Sequence, residues 1–483
     1  MDKDLASIQE ARECVRRARA AGETLAEMAQ GELDKLVAAV ARVGREHARE
    51  LAEEAVAETG FGVVEHKVIK NLFAANQIYE AIKDETVVGL LGKNEQEKTW
   101  EFGVPMGVVA ALVPSTNPTS TVLYKAMISL KAGNPVVFSP HPNALKCINH
   151  AVELAAGAVE EAGGPRDAVL TMNTPTLEGT KELMSNRDTK LILATGGSAM
   201  VRAAYSSGTP AIGVGAGNGP AYFHESCDLA TAVKRVLDSK TFDNGTICAS
   251  EQSVVTTAAF APKVQAEFER QGGFFLSKEQ RDTLAGFVLR SNGTMNPAIV
   301  GKSVPELCRL SGLKSIPEGT RVLLVPEEGV GKGYPFSNEK LGLILAYYVE
   351  PDEDKALTRC VEILRHEGAG HTFAIHAKEE GVVEKFAKAV PASRILVNTP
   401  ASLGGIGATT NLFPAMTLGC GAVGGSSTSN NIGPKDLVNI KRVAWGVREL
   451  EELKGGEGSW NNTPDISPKE LTWIIAEALR QLR

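Results

Sequence analysis

VVAALVPSTNPTSTVLYKAMISLKAGNPVVFSP, residues 108–140, opens with a short apolar run and then breaks at a Pro-, Ser-, Thr- and Asn-rich turn. A helical stretch over 118–132, Gly133 and a second apolar run over 135–139 follow. The alternation continues with a helix over 143–162, AVLTM at 168–172, LILAT at 191–195 and a helix from about 198. Strands separated by helices predict a parallel, doubly wound sheet, because a parallel neighbour is reached only through a crossover. Ligands of such sheets lie at the carboxyl ends of the strands, so the turns at 114–118, 139–142 and 195–198 should share one rim.

Upstream, Leu33, Leu36, Val37 and Val40 recur with helical spacing, which predicts one amphipathic helix over about 31–58. Downstream, a second α/β segment runs over 222–413 and overlaps a Gly-rich stretch, 403–425. KGGEGSWNNTPDISP at 454–468 reads as a linker, so the last helix is a separate unit. There Ser467, Pro468 and Glu470 form a start signal, and Leu471, Ile474, Ile475, Ala478, Leu479 and Leu482 fall on one face. Two roles fit that face: docking on its own oligomer, or insertion into a groove of another protein.

The 483 residues exceed what one hydrophobic core usually supports. With 43% hydrophobic and 23% charged residues, disorder and coiled coil are excluded as overall descriptions. A net charge of −7 argues against a dedicated nucleic-acid binder, whose affinity rests on phosphate contacts. No apolar run approaches a membrane span, the start lacks a signal peptide's apolar stretch, and a cytoplasmic location is expected. Seven scattered cysteines without a CxxC pattern are expected as free thiols.

Three features compete as chemistry. GVGAGNG at 213–219 places glycines at every second position and misses the G-x-G-x-x-G spacing of a phosphate turn. His366, His371 and His376 are five apart, which on a helix turns successive side chains by about 140°, so no metal site is expected. Cys248, in TFDNGTICASEQ, follows an Asn-Gly turn among small and polar residues. Alone, such a cysteine is more often buried filler than a nucleophile.

Its companions change that reading. GVPMGVVAALVPSTNPTSTV (103–122), VVFSPHP (136–142), ILATGGSAMVRAAYSSGTPAIGVGAGNGP (192–220), TFDNGTICASEQSVV (241–255), PFSNEKLGLILA (335–346) and the segment 398–434 occur in that order. Together they resemble the aldehyde dehydrogenase superfamily, and within it the branch that acylates coenzyme A, over residues 5–450. They look closest to the aldehyde half of bifunctional alcohol/aldehyde dehydrogenases and to the short-chain acylating enzymes of bacterial microcompartments.

The resemblance implies an α/β aldehyde dehydrogenase fold. Its Rossmann-like cofactor domain would cover 1–96 and 108–221, its catalytic domain 222–413. Small oligomerisation strands would lie within 97–107 and 435–450, a linker over 454–467 and a terminal amphipathic helix over 468–483. It implies Cys248 as nucleophile and Asn117 as oxyanion donor. Cofactor contacts would come from Ser115, Thr116, Ser139, Pro140, His141, Thr195, Gly196, Gly197, Ser198, Gly215 and Glu339. Ser139, Pro140 and His141 replace the lysine-bearing adenosine-side turn of hydrolytic relatives, which leaves the adenine-side contacts and the choice between NAD and NADP open; NAD is the expected cofactor. Those relatives carry a base glutamate in an E-L-G-G-K segment, whereas 213–218 holds no carboxylate, which turns the expected product from free acid to acyl-CoA.

Thr246, Ile247, Ser402, Ile406, Thr409 and Phe413 are expected to shape a pocket for acetaldehyde or propionaldehyde. Sulfoacetaldehyde, and a non-acylating reaction, stay as alternatives. The strands imply a homo-oligomer, dimer or tetramer, and the last helix matches those that bind a microcompartment shell protein, which would place the enzyme in the shell lumen.

Overall fold

The computed structural model describes residues 2–290, 294–453 and 467–481. The expected linker, apart from Ser467, and the last two residues of the expected tail helix lie outside the described residues. The chain forms two compact units, one of Met1–Gly89 with Gly103–Asn439 and one of Leu90–Phe102 with Ile440–Arg483. In chain order the strands are β1 (Gly89–Asn94), β2 (Thr99–Pro105), β3 (Val108–Val113), β4 (Val136–Pro140), β5 (Val169–Thr171), β6 (Thr189–Thr195) and β7 (Ala211–Val214). They continue as β8 (Pro220–Phe223), β9 (Ser253–Thr257), β10 (Gly273–Phe275), β11 (Val322–Pro326), β12 (Ile344–Glu350), β13 (Gly370–His376), β14 (Ala392–Val397) and β15 (Val438–Ala444).

The larger unit holds two parallel sheets. The first has the order β5-β4-β3-β6-β7, with Ala110 of β3 between Val137 of β4 and Ile192 of β6. Strand order reverses between β3 and β6, which opens a crevice at their carboxyl ends. β3 is buried along its whole length, and so is every residue of the helix Pro118–Lys131 behind it. That two-sided burial explains why 108–113 reads as a continuous apolar run rather than an alternating one.

The N-terminal stripe folds as two helices, Gln30–Glu46 and Ala48–Thr59, rather than one over 31–58. The break is at His47, whose φ of −103° and ψ of 13° leave the helical region while its ring meets Glu50 at 2.7 Å. The first helix buries Leu33, Leu36, Val37 and Val40 against the helices Pro118–Lys131 and Leu145–Glu161. The second packs instead on the helix Val64–Phe73.

The second sheet has the order β10-β11-β12-β9-β8-β13-β14, all parallel. The chain passes from the carboxyl end of β7 to the amino end of β8 through 215–219. A carboxyl rim of one sheet is therefore joined directly to an amino rim of the other.

The smaller unit carries most of the three-stranded sheet β1-β2-β15 and the helix Pro468–Gln481. Trp100 and Trp445 meet edge to face at 4.9 Å, and Arg442 pairs with Glu101 at 3.0 Å. Ile440, Val443 and Trp445 are exposed. Ser467 caps the last helix through Glu470 as expected, and Leu471, Ile474, Ile475 and Leu479 are exposed. Among the described residues no helix is long and apolar enough to cross a membrane.

Candidate active site

Cys248 lies between the helix Leu229–Thr241 and β9, at the amino rim of the second sheet. The turn before it is unusual: Asp243, Asn244 and Gly245 all take left-handed backbone, with φ of 50°, 52° and 74°. Such a conformation costs about 1–3 kcal/mol for each residue other than glycine, and it persists only where the surroundings enforce it. Here they do. The Asp243 carboxylate accepts from the Val63 N–H (2.8 Å), Lys67 Nζ (2.9 Å), the Thr246 hydroxyl (2.7 Å) and Lys70 Nζ. Its own N–H donates to His66 Nδ1 at 2.8 Å. Burial alone would raise the Asp243 carboxyl, but Lys70 and Lys67 hold it at about 2.

His371 Nε2 lies 3.2 Å from Cys248 Sγ, and its Nδ1 faces the Thr372 hydroxyl at 3.2 Å. The helical argument that set the three histidines aside does not apply: His366 ends a helix, whereas His371 and His376 lie on β13. β13 starts on the same amino rim as β9, which brings His371 to the thiol. The local signal was the pair of glycines, 368 and 370, bounding an apolar run of strand length.

Burial pushes the Cys248 thiol up to about 12, with the Glu339 carboxyl adding to it. Burial pushes His371 down to about 3, with Arg394 adding to that. The resting pair is thus a neutral thiol beside a neutral imidazole, and Nε2 is free to accept when Nδ1 carries the ring proton. Gly217 closes the other side of Cys248, and Glu339 Oε1 accepts from the Gly217 N–H at 2.8 Å.

Asn117 ends the turn after β3 and starts the helix Pro118–Lys131, yet its side chain makes no capping bond there. Instead Oδ1 accepts from Lys70 Nζ at 2.6 Å, while Nδ2 donates to the Thr246 carbonyl (3.3 Å) and the Thr116 hydroxyl (3.2 Å). Its amide is thereby bound two residues before Cys248. Lys67 and Lys70 were not singled out from sequence, and neither was Asp243. Two lysines three apart on a helix normally read as a solvated face, but both are buried here.

Ser115, Thr116 and Asn117 after β3, and Thr195 at the end of β6 with Gly196 and Gly197 after it, lie on the two sides of the strand-order reversal. A Cβ at Gly197 or Gly215 would meet nothing within 4 Å, and one at Gly196 only Met200 at 3.7 Å. The backbone is therefore open to a ligand, as a pyrophosphate at a helix start requires. At the end of β4, Ser139, Pro140 and the following His141 are engaged within the chain. Ser139 is buried with its hydroxyl committed to Thr180 at 2.8 Å, Pro140 is buried, and His141 is exposed and accepts from the Asn143 N–H. Burial pushes the Glu339 carboxyl up to about 8, with Glu367 adding to it.

Of the expected aldehyde pocket, Ile247 and Ile406 share one apolar cluster, against which Phe413 packs. Ser402 is fully buried with its hydroxyl bonded to Ser239, whereas Thr409 is exposed and bonded to Thr399. Phe413 also lines a cavity of about 490 Å³ with Arg394 and Asn431.

A thiol held against an imidazole, in a chain whose parallel five-stranded sheet has a strand-order reversal, defines an α/β fold with a candidate reactive cysteine. The chain belongs to the aldehyde dehydrogenase family, whose pattern matches residues 3–271. It is 42% identical over 443 residues to the bifunctional aldehyde-alcohol dehydrogenase AdhE of Escherichia coli strain K12, covering 91% of this chain and 50% of that one. The chain spans about half the length of such bifunctional relatives. It is 35% identical to the acetylating succinate-semialdehyde dehydrogenase of Clostridium kluyveri, over 91% of this chain and 96% of that one.

Among solved structures, an acetylating aldehyde dehydrogenase from Geobacillus thermoglucosidasius matches with a TM-score of 0.91 and 48% identity, covering 93% of this chain and 99% of that one. A probable aldehyde dehydrogenase from Listeria monocytogenes EGD-e matches at 0.93 and 55%, over 94% and 100%. A propionaldehyde dehydrogenase from a Clostridium phytofermentans fucose-utilisation microcompartment matches at 0.81 and 29%, over 90% and 97%.

Proposed function

We propose that this protein oxidises a short-chain aldehyde to its acyl-CoA, with NAD as hydride acceptor, through a thioester on Cys248. The observation that carries the reading is the surroundings of the thiol. The segment against Cys248 is Gly217, 213–219 holds no carboxylate, the Glu339 carboxyl nearby accepts from the Gly217 N–H, and among the described residues His371 lies within hydrogen-bond reach of Sγ. Neutral His371 takes the thiol proton as sulfur attacks the aldehyde carbon, and the resulting oxyanion faces Asn117 Nδ2. A nicotinamide dinucleotide bound at the crevice after β3 and β6 would supply the hydride acceptor, with Glu339 on the ribose. Water finds no carboxylate base in 213–219, but once His371 has released the first proton to solvent, a coenzyme A thiol, which ionises far more easily than water, can give its proton to His371 and attack the thioester, and that proton returns to the Cys248 sulfur as it leaves.

The five-stranded sheet is assigned to the cofactor and the seven-stranded sheet to catalysis. The guanidinium of Arg394 is engaged with the Gly370, Gly419 and Ser429 carbonyls and the Asn431 side chain, which favours an uncharged aldehyde over a sulfonated one. The exposed strand β15 is assigned to a homo-oligomer. The last helix is assigned to a microcompartment shell, a role that a fusion of residues 455–483 to a fluorescent protein checks: diffuse signal in cells with shells removes it.

NADH absorbance with acetaldehyde or propionaldehyde, with and without coenzyme A, tests the reaction. Turnover that continues only with coenzyme A and disappears in Cys248→Ala supports it. Steady NADH without coenzyme A would mean that water reaches the thioester, and a strong preference for sulfoacetaldehyde would overturn the substrate.

A further inference from the structure

Lys70 stands on the helix Val64–Phe73, 2% exposed, with three side-chain acceptors around its ammonium: Asn117 Oδ1 at 2.6 Å, Asp243 Oδ2, and Thr246 Oγ1 at 3.4 Å. Asp243 alone would neutralise one lysine, and Lys67 already pairs with it at 2.9 Å. Burying a second ammonium costs several kcal/mol, so two lysines on one carboxylate are more than a fold needs at this point. Burial pulls the Lys70 ammonium down to about 7 while Asp243 pulls it back up, and its N–H groups lie against the amide oxygen of Asn117.

We propose that Lys70 is the positioning residue of the oxyanion site: it fixes which end of the Asn117 amide faces the nucleophile turn and strengthens Nδ2–H as a donor. This rests on the acyl-transfer reading of Cys248 and Asn117. A primary amide has nearly the same shape when flipped by 180°, and the flipped form would turn an oxygen lone pair toward the developing oxyanion. An ammonium can only donate, so Lys70 forces Oδ1 toward itself and leaves Nδ2 on the side of Thr246 and Cys248. A cation on the amide oxygen also polarises the group, and chained hydrogen bonds strengthen one another in a low dielectric. Lys67 completes the hold by donating to the Thr116 carbonyl at 3.0 Å, so one helix grips both the backbone and the side chain of this turn.

The test uses the full chain and p-nitrophenyl acetate. Cys248 sulfur attacks the ester carbonyl, the oxyanion forms, and p-nitrophenolate leaves as the thioester remains, with no need for aldehyde, NAD or coenzyme A. Losing an oxyanion donor typically costs about 10²–10³ in rate. Lys70→Met is expected to slow the p-nitrophenolate burst about 100-fold, Asn117→Ala to slow it similarly, and the double variant to be little slower than either, because residues acting as one unit are not additive. Alkylation of Cys248 by iodoacetamide, which forms no oxyanion, should stay within about twofold. Asp243 keeps Lys67 as partner in these variants, and Lys70→Gln, with a neutral donor in place, carries the same readout if Lys70→Met does not fold. A burst unchanged in the Lys70 variants, losses that multiply in the double variant, or alkylation slowed in parallel with the burst would each overturn the proposal. If wild type gives the burst but no coenzyme A-dependent NADH, the aldehyde reading fails while the role of Lys70 is still judged.

Discussion

A Cβ placed on Gly217 would lie 2.0 Å from the carbonyl oxygen of Cys248 and 3.3 Å from His371 Cε1. The glycine is therefore a matter of space at the nucleophile. Gly217→Ala must push the Cys248 turn away, and a misplacement of about 1 Å costs on the order of 100-fold in rate. We expect kcat to fall by about that factor, together with a lower midpoint of thermal unfolding. Gly215→Ala is the contrast: its Cβ meets nothing, so unfolding stability should stay within about 0.5 kcal/mol of wild type.

The pairing of Cys248 with His371 makes a kinetic prediction. Only thiolate reacts with iodoacetamide, and with a thiol pushed up to about 12 its fraction rises about tenfold per pH unit through the neutral and mildly alkaline range. The alkylation rate of the free enzyme should climb steadily from pH 7 to 10. Levelling off by about pH 9.5 would show a thiol near its ordinary value of about 8.5, and a plateau by pH 8 one held below it. His371→Ala should lower kcat by about 10²–10⁴, the usual contribution of a positioned base, while the midpoint of unfolding changes little.

The parallel sheet of 108–214 was legible because its strands are short apolar runs bounded by Pro, Gly and Asn, signals local to the chain. Cys248, Asn117 and Glu339 came as a set through the resemblance, and the fold bonds Asn117 to Thr246 and Glu339 to Gly217, the residues flanking Cys248. His371 was not, because spacing was judged on a helical repeat where the chain is extended, and because its distance to Cys248 is created by β13 and β9 starting on one rim. Lys67, Lys70 and Asp243 were hidden for a related reason. A charge is buried only by a partner far away in sequence, and 173 positions separate Lys70 from Asp243. Ser139 and Ser402 illustrate the converse: their partners Thr180 and Ser239, 41 and 163 positions away, are set by the fold and are not visible in the local sequence.

Asp243 should behave differently from its lysines. Asp243→Asn leaves Lys67 and Lys70 buried without a counter-charge, and breaking a buried pair this way costs about 3–5 kcal/mol. Urea denaturation at pH 7 should show a loss of that order, larger than for Lys70→Met. The pH dependence follows from a carboxyl held low in the folded state, at about 2 against about 3.9 unfolded. Its stabilising share is complete above pH 4 and fades as the pH falls toward 2, so wild type and Asp243→Asn should converge in stability in that window.

Glu339 sets function against stability. Its carboxyl is pushed up to about 8, so in the ligand-free enzyme at pH 7 it is mostly protonated, whereas in the unfolded chain it ionises near 4.3. A raised acid contributes stability that is full below the unfolded value and is lost as the pH rises toward the folded one. Glu339→Gln, which keeps an acceptor for the Gly217 N–H, escapes that loss: it should match wild type at pH 4 and be the more stable protein at pH 8. The carboxylate that burial disfavours is the group that would hold the ribose hydroxyls, and a hydrogen bond to a charged group is worth about 1.5–3 kcal/mol. Titration with NAD should therefore show at least about tenfold weaker binding by the more stable variant. Equal affinity would remove Glu339 from the cofactor site, and equal stability at pH 8 would show a carboxyl that is not raised.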